Sequence, residues 1–400
     1  MNKVCPEVLY VSIDGIMEPL GYSQVLKYLQ HLSKEHKINL ITFEKNENLK
    51  KSNELSKIKL ICVNNNISWY KLKYRKGFLG LGQLANIVNL VFVPLIVFLK
   101  KNISLVHIRS YMPGIAIPIL KVFFDFKLIF DIRGFWPDEK HDRLGWNKTS
   151  LKYRFFKKLE NYLMRKADFI VTLTHASKKI VRKKFNINNA SIDVIPTCVD
   201  FNEFTQIKKT LNDKIFTIGY LGSTDTAYDF RKFCFLVAQL QKYLDQEIAL
   251  KVLTNSSIAE IPELESLKNN LQIKLDVKFV DHKSLSHEIS SFNLLGFCLK
   301  KNFSVQASMP TKIGEVLACG VPLVCNAFNE DIKNLVLENE VGLIYNFEEP
   351  LLNKKFDGLF KLIHDPSTSL RCVDTAKKYF SLEKGSSQYN HLYFKFIKYL

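Results

Sequence analysis

Ser308-Met-Pro-Thr-Lys-Ile-Gly-Glu-Val-Leu-Ala-Cys-Gly-Val-Pro-Leu-Val-Cys-Asn326 reads as a loop, a helix start, one short helix, a turn and a buried strand. Pro310 stiffens the entry, and Thr311 is the expected N-cap, with Lys312, Ile313 and Gly314 in the first turn. Gly320 ends the helix, Pro322 forbids its continuation, and Leu323-Val324-Cys325 is short, apolar and fully buried in character. A helix N-terminus presents free N–H groups and the positive end of a dipole, which suits a phosphate. Lys312 adds a full charge there, and the Glu315 carboxylate can accept hydrogen bonds from vicinal sugar hydroxyls. The stretch therefore has the parts of a nucleoside diphosphate grip, or, more plainly, of a capped surface helix.

The run Met309–Asn326 resembles the donor-binding segment of the retaining GT-B glycosyltransferases of family 4, the group that builds bacterial surface polysaccharides. The resemblance implies that Glu315 holds the ribose and that Lys312 faces the diphosphate, with Ser308, Thr311 and Gly314 contributed by the loop and first turn. Asn326 follows the next strand on the same side. Two departures stand out. Many relatives carry a second Glu where this chain has Ala307, and many carry a His where it has Arg133.

Working outward, the rest of the chain alternates strand-like and helix-like segments. Val8–Ile13 is an apolar run closed by Asp14-Gly15, then a loop and a helix with Val25, Leu26, Leu29 and Leu32 at helical spacing. Gly21 in that loop permits close approach of a donor, and Ser23 and Gln24 are acceptor-side candidates. Ile38–Phe43 and Ile58–Val63 read as further strands. Ile103–Ile108 leads to Arg109, and Phe126–Asp131 leads to Ile132-Arg-Gly-Phe-Trp-Pro-Asp-Glu139. Loops at strand C-termini line the crevice of an open parallel sheet. Arg109 and Arg133 are thus anion-binding candidates, Arg133 as a catalytic charge stabiliser, while Asp138 and Glu139 can orient acceptor hydroxyls. The loops Asp14–Val25 and Asp131–Glu139 also resemble one bacterial subgroup of the family.

His175 reads as structural. A strand ending in Pro196-Thr-Cys-Val-Asp200 closes the first half, and Phe216–Ser223 opens the second, with Gly222, Ser223 and the following loop Thr224–Asp229 placed to cradle a diphosphate. The expected class is α/β, two doubly wound Rossmann-like domains facing a cleft (GT-B). Residues 1–200 form the acceptor side and 201–380 the donor side. Residues 381–400 form a terminal helix which, by the resemblance, crosses back to the first domain.

Composition bounds the partners. The formal net charge is +18, and basic clusters at Lys71–Lys76, Lys100-Lys101 and Lys178–Lys184 suit an anionic membrane surface better than nucleic acid. The apolar stretch Leu84–Leu99, interrupted by Asn86, Asn89 and Pro94, is short for a membrane span and reads as a buried helix ahead of an interfacial one. Gly80–Ala85 fits a dinucleotide pattern only loosely, because it follows a basic patch instead of a strand. Eight cysteines in apolar runs, without metal-ligand spacing, read as reduced core residues. Met1–Lys3 leads directly into a strand-like segment, so no signal peptide is expected and the Asn189–Ser191 sequon carries no meaning. The resemblance implies a nucleotide sugar as donor, a glycan or lipid-linked acceptor, no metal or other cofactor, and a cytoplasmic, membrane-peripheral location. Two other readings remain open: a nucleotide-sugar epimerase of the same fold, and a non-catalytic basic binding protein.

Overall fold

The computed structural model describes residues 6–76, 81–188, 191–207, 215–224, 227–244, 247–255, 261–271, 273–347 and 353–397. Gly80, the sequon residues Asn189 and Ala190, and the loop residues Asp225 and Thr226 lie outside them. The chain divides into two units: Met1–Pro196 with Leu382–Leu400, and Thr197–Ser381.

The first unit is built on a seven-stranded sheet of order β3-β2-β1-β4-β5-β6-β7. Its strands are β1 (Glu7–Ser12), β2 (Ile38–Lys45), β3 (Ile67–Tyr74), β4 (Ile103–Arg109), β5 (Lys127–Asp131), β6 (Phe169–Thr172) and β7 (Ile192–Val194). Every pairing is parallel. A parallel sheet is covered by its crossover helices on both faces, which is why β1 and β4 are buried throughout and read as continuous apolar runs. The order reverses between β1 and β4, the place where open sheets of this kind gather ligand loops.

The second unit repeats the plan with six parallel strands ordered β10-β9-β8-β11-β12-β13. They are β8 (Ile215–Leu221), β9 (Glu247–Leu253), β10 (Lys274–Lys278), β11 (Leu294–Phe297), β12 (Leu323–Cys325) and β13 (Gly342–Ile344). Gly219 and Gly296 are strand glycines with a packing reason: a Cβ at either would collide with the ring of Phe292 or of Phe233.

Two expectations are corrected here. Ile58–Val63 is the end of a helix, Ser52–Asn64, with Ile58 and Cys62 buried one turn apart while Leu60 and Val63 face solvent. A short apolar run cannot by itself distinguish the two periods. Leu84–Leu99 is not a buried helix: it belongs to Leu81–Lys100, whose Leu90, Val97 and Phe98 are buried and whose opposite stripe is exposed. Gly82 sits inside that helix, so the dinucleotide pattern has no strand–turn context. The Leu382–Ile397 helix packs on Lys27–Leu32 and β4 within the first unit, and His36 bonds Asn390 at 2.7 Å.

Candidate functional site

In the second unit the decisive stretch folds as Thr311–Ala318, with Pro310, not Thr311, at the N-cap. Thr311 is the first helical residue because Pro310 holds an extended backbone that stops the helix there. Lys312 and Glu315 lie three residues apart on one face, 6% and 8% exposed. The Lys312 ammonium donates to the carbonyl of Leu221 at the end of β8. It stands 3.8 Å from the ring centroid of Tyr228, 5.2 Å from that of Tyr220 and 5.3 Å from that of Phe297. Gly222 turns beneath it at φ +106, and a Cβ there would approach Nζ to 3.3 Å. Gly222 therefore answers two demands, a left-handed backbone and room for the lysine.

Burial pushes the Lys312 ammonium down to about 7, against the opposing pull of Glu315. Burial likewise pushes the Glu315 carboxyl up to about 7, against the opposing pull of Lys312. A cation and a carboxylate both held near neutrality, beside a glycine turn, are poised to gain from a polar anionic ligand. A diphosphate would restore the full charge of Lys312, and vicinal hydroxyls would supply the donors that an ionised Glu315 needs.

Several neighbours read as donor-binding also make contacts within the unit. Asn326 is 5% exposed and clamps Leu299, accepting from its N–H at 2.9 Å and donating to its carbonyl at 2.8 Å, so its amide ties the β12 end to the β11 end. Gly314 backs onto Phe380, where a Cβ would stand 3.1 Å away, and is a packing glycine. Ser308 offers its carbonyl to the Asn329 amide at 2.8 Å. Ser223 follows Gly222, its carbonyl accepting from the Tyr220 hydroxyl. Ala307 is buried and apolar, so its side chain offers no hydrogen bond to a ligand.

The first unit carries a second cluster, and its centre is a residue the sequence reading passed over. Asp131, the last residue of β5, is 1% exposed. It accepts from the Tyr389 hydroxyl at 2.9 Å, and lies 3.5 Å from Arg133 Nη1, 3.8 Å from Arg109 Nη1 and 3.9 Å from His107 Nε2. Burial alone would raise this carboxyl, but Arg133, His107 and Arg109 overcome it and bring it to about 2. Arg109 also pairs with Asp14 at 3.2 Å, and His107 Nδ1 lies 2.8 Å from the Tyr393 hydroxyl. Arg133 adopts φ +51 and Gly134 φ +149, a sharp left-handed turn that Asp131 holds by charge. Arg109 and Arg133 thus come together as expected of neighbouring strand-end loops, with a shared carboxylate between them.

Asp138, expected on the acceptor side, accepts from the Tyr153 hydroxyl at 2.7 Å and from the Lys157 ammonium at 2.9 Å. Glu139, one residue on, has its carboxyl raised by burial and packs against Gly134. Gly21 lies in a helical turn on the Gly15 carbonyl, where a Cβ would collide, so close packing accounts for it. Gln24 is buried, and Ser23 Oγ donates to Leu20 O at 3.4 Å. That loop is set by Glu44, fully buried, whose carboxylate accepts from the N–H groups of Ile16 at 2.8 Å and Met17 at 3.2 Å. No motif marks Glu44; its one signal is an acid placed inside a buried strand. Among the described residues, no group of three or more His, Cys, Asp or Glu is arranged to hold a metal ion, and the seven cysteines within them are buried and not joined in disulfides.

Residues 24–203 match the family model Glycosyltransferase Family 4. A Haemophilus influenzae protein described as an uncharacterized glycosyltransferase is 28% identical over 244 residues, which is 58% of this chain and 63% of that relative's length. Among solved structures, a sucrose-phosphate synthase from Thermosynechococcus elongatus superposes with a TM-score of 0.69 at 14% identity, over 99% of this chain and 100% of its own. Anabaena HepE, solved in complex with UDP and glucose, superposes with a TM-score of 0.63 at 14% identity, over 97% and 99%. The two parallel-sheet units are those of the GT-B glycosyltransferase fold, and the chain matches Glycosyltransferase Family 4 from Gln24 to Glu203.

Proposed function

We propose that this protein is a retaining glycosyltransferase that needs no metal. It takes a sugar from a nucleotide-sugar donor and passes it to a lipid-linked or membrane-associated glycan in surface-polysaccharide biosynthesis, at the inner face of the cell membrane. The observation that carries the reading is the Lys312–Glu315 pair on the first turns of one helix, over the Gly222 turn at the end of β8. The family match and the UDP- and glucose-bound structural neighbour support the same assignment.

In this reading the diphosphate lies against Gly222, Ser223 and the Thr311–Ala318 N-terminus, and Lys312 neutralises the charge that grows on it as it leaves. Glu315 accepts hydrogen bonds from the ribose hydroxyls. The bond between the anomeric carbon and the phosphate oxygen breaks, and the acceptor oxygen bonds to the same face of that carbon. The acceptor's proton goes to the departing phosphate oxygen, so no protein base is required.

Melting curves against uridine, guanosine, adenosine and cytidine diphosphates and their sugars, without added metal, test the site. A ligand at 100 times its dissociation constant stabilises by about 2.7 kcal/mol, and the reading expects one base to be selected and the shift to shrink in Glu315→Ala. Turnover of donor without acceptor into an epimeric nucleotide sugar would favour the epimerase. Salt-sensitive nucleic-acid binding without any nucleotide-sugar response would favour the non-catalytic reading.

A further inference from the structure

The helix Leu81–Lys100 joins β3 to β4, two strands of one sheet, and so begins and ends in the same folded body. Leu90, Val97 and Phe98 are buried on one side of it. Near its start, the Asn86 amide ties it to the end of β3, donating to Arg75 O at 3.0 Å and accepting from Arg75 N at 3.1 Å. By length and composition this helix could cross a membrane, but a helix docked along one face cannot do so without unfolding the sheet.

Its other face is unusual. Leu84, Val88, Phe92, Ile96 and Leu99 form an exposed stripe at spacings of four, four, four and three, with Phe92 55% and Leu99 71% exposed. The stripe runs about 22 Å along the helix. A second element lies beside its last turn, where the buried Phe98 stacks on Phe124 with centroids 4.5 Å apart. Phe124 directly follows the helix Ile117–Phe123, where Ile119, Val122 and Phe123 are exposed as well, Val122 by 75%. Soluble proteins seldom leave a contiguous apolar surface of this extent open to water.

Charge selects the occupant. From Leu55 to Phe124 the chain contains no Asp or Glu and ten Lys or Arg. Lys71, Lys73, Arg75 and Lys76 are exposed at the end of the stripe that Asn86 fixes, and Lys100 at the other. An apolar stripe with basic residues at both ends and no acid between Leu55 and Phe124 is the pattern of a helix lying in the headgroup plane of an anionic bilayer. We infer that the Leu84–Leu99 stripe, extended by Ile119, Val122 and Phe123, is a membrane-docking face that inserts its side chains among the acyl chains of an anionic leaflet while the flanking lysines meet the headgroups. The inference deepens the peripheral location proposed above and rests on that part of the reading.

Co-sedimentation with vesicles tests it, using the whole chain with no nucleotide or sugar present. Wild type should pellet with equimolar phosphatidylcholine and phosphatidylglycerol, and less with phosphatidylcholine alone. Phe92→Gln/Leu99→Gln and, separately, Val122→Gln/Phe123→Gln should each lower the partition coefficient about tenfold or more with the melting temperature unchanged, since these side chains are already in water. Lys71→Gln/Lys73→Gln should weaken the preference for the anionic lipid. Equal pelleting of wild type and both apolar variants would overturn the inference, as would no pelleting of wild type at all. A wild-type dimer that dissociates in these variants would also overturn it, assigning the stripe to a second copy of the chain. Vesicle binding that persists in a protein with no nucleotide response would leave this face standing and remove the glycosyl-transfer reading, so the two fail separately.

Discussion

Lys312→Met should make the unliganded protein more stable and the liganded protein less so. The ammonium has an ordinary value of 10.5 and is held at about 7 by burial, which at pH 7 corresponds to about 4 kcal/mol of unfavourable desolvation. Two contacts offset it. The bond to Leu221 O contributes about 1 kcal/mol, and the faces of Tyr228, Tyr220 and Phe297 contribute about 1–2 kcal/mol. Methionine fills a similar volume, and loss of the neighbouring cation costs Glu315 less than about 0.5 kcal/mol, because that carboxyl protonates instead. The net gain is about 1–2 kcal/mol, or about 2–8 °C in melting temperature for a unit of this size. The pH dependence has a fixed sign. The folded value lies below the unfolded one, so between about pH 7 and 10.5 the unfolded chain holds the extra proton and wild-type stability rises with pH from this group. At pH 9 the desolvation cost has fallen to about 2 kcal/mol, and the advantage of the variant should be gone. Adding the selected nucleoside diphosphate at 100 times its dissociation constant raises wild type by about 2.7 kcal/mol and the variant little, so the two melting curves change order. A variant that melts below wild type at pH 7 without ligand, or a gap indifferent to pH, would refute the desolvation argument.

Three further outcomes follow from the same geometry. Glu315→Gln should stabilise the unliganded protein above pH 7 and leave it unchanged near pH 4.5, because burial raises the carboxyl from 4.5 to about 7 and the penalty grows only as the unfolded chain ionises first; urea melts across that range read the gap. Gly222→Ala should lower stability by about 1–3 kcal/mol, since φ +106 is strained for any Cβ, and should weaken nucleotide binding by crowding Lys312; melting curves with and without nucleotide separate the two effects. Asp131→Asn should cost about 3–5 kcal/mol, because Arg109 and Arg133 would be left buried without their shared anion, and Tyr389→Phe less, as it removes one hydrogen bond; equilibrium unfolding reports both.

The sequence makes the parallel sheets legible because buried strands write themselves as apolar runs ended by Gly or Asp, as at Val8–Gly15 and Phe216–Ser223. It makes the helix at 311 legible because proline and glycine punctuate it. What it hides is direction. Asp138 and Asn326 both follow the expected strand-and-loop order, yet one turns to Tyr153 and Lys157 and the other to Leu299, choices made by neighbours far along the chain. Lys312 has the same origin: the rings that desolvate it come from β8, β11 and Tyr228, so its depressed value is written nowhere near residue 312. Asp131 went unread because a lone acid closing an apolar strand looks like a turn signal, while its meaning depends on Arg109, Arg133 and a tyrosine 258 positions later. The Leu81–Lys100 helix shows the converse. Its total hydrophobicity argued for the core, but its period of four placed half of that hydrophobicity on an uncovered face. Periodicity says which residues share a face; only the covering elements say whether that face is interior. Here β3 and the Met112–Ala116 turn account for one side alone, and the acid-free run from Leu55 to Phe124 with its flanking lysines points to what would account for the other.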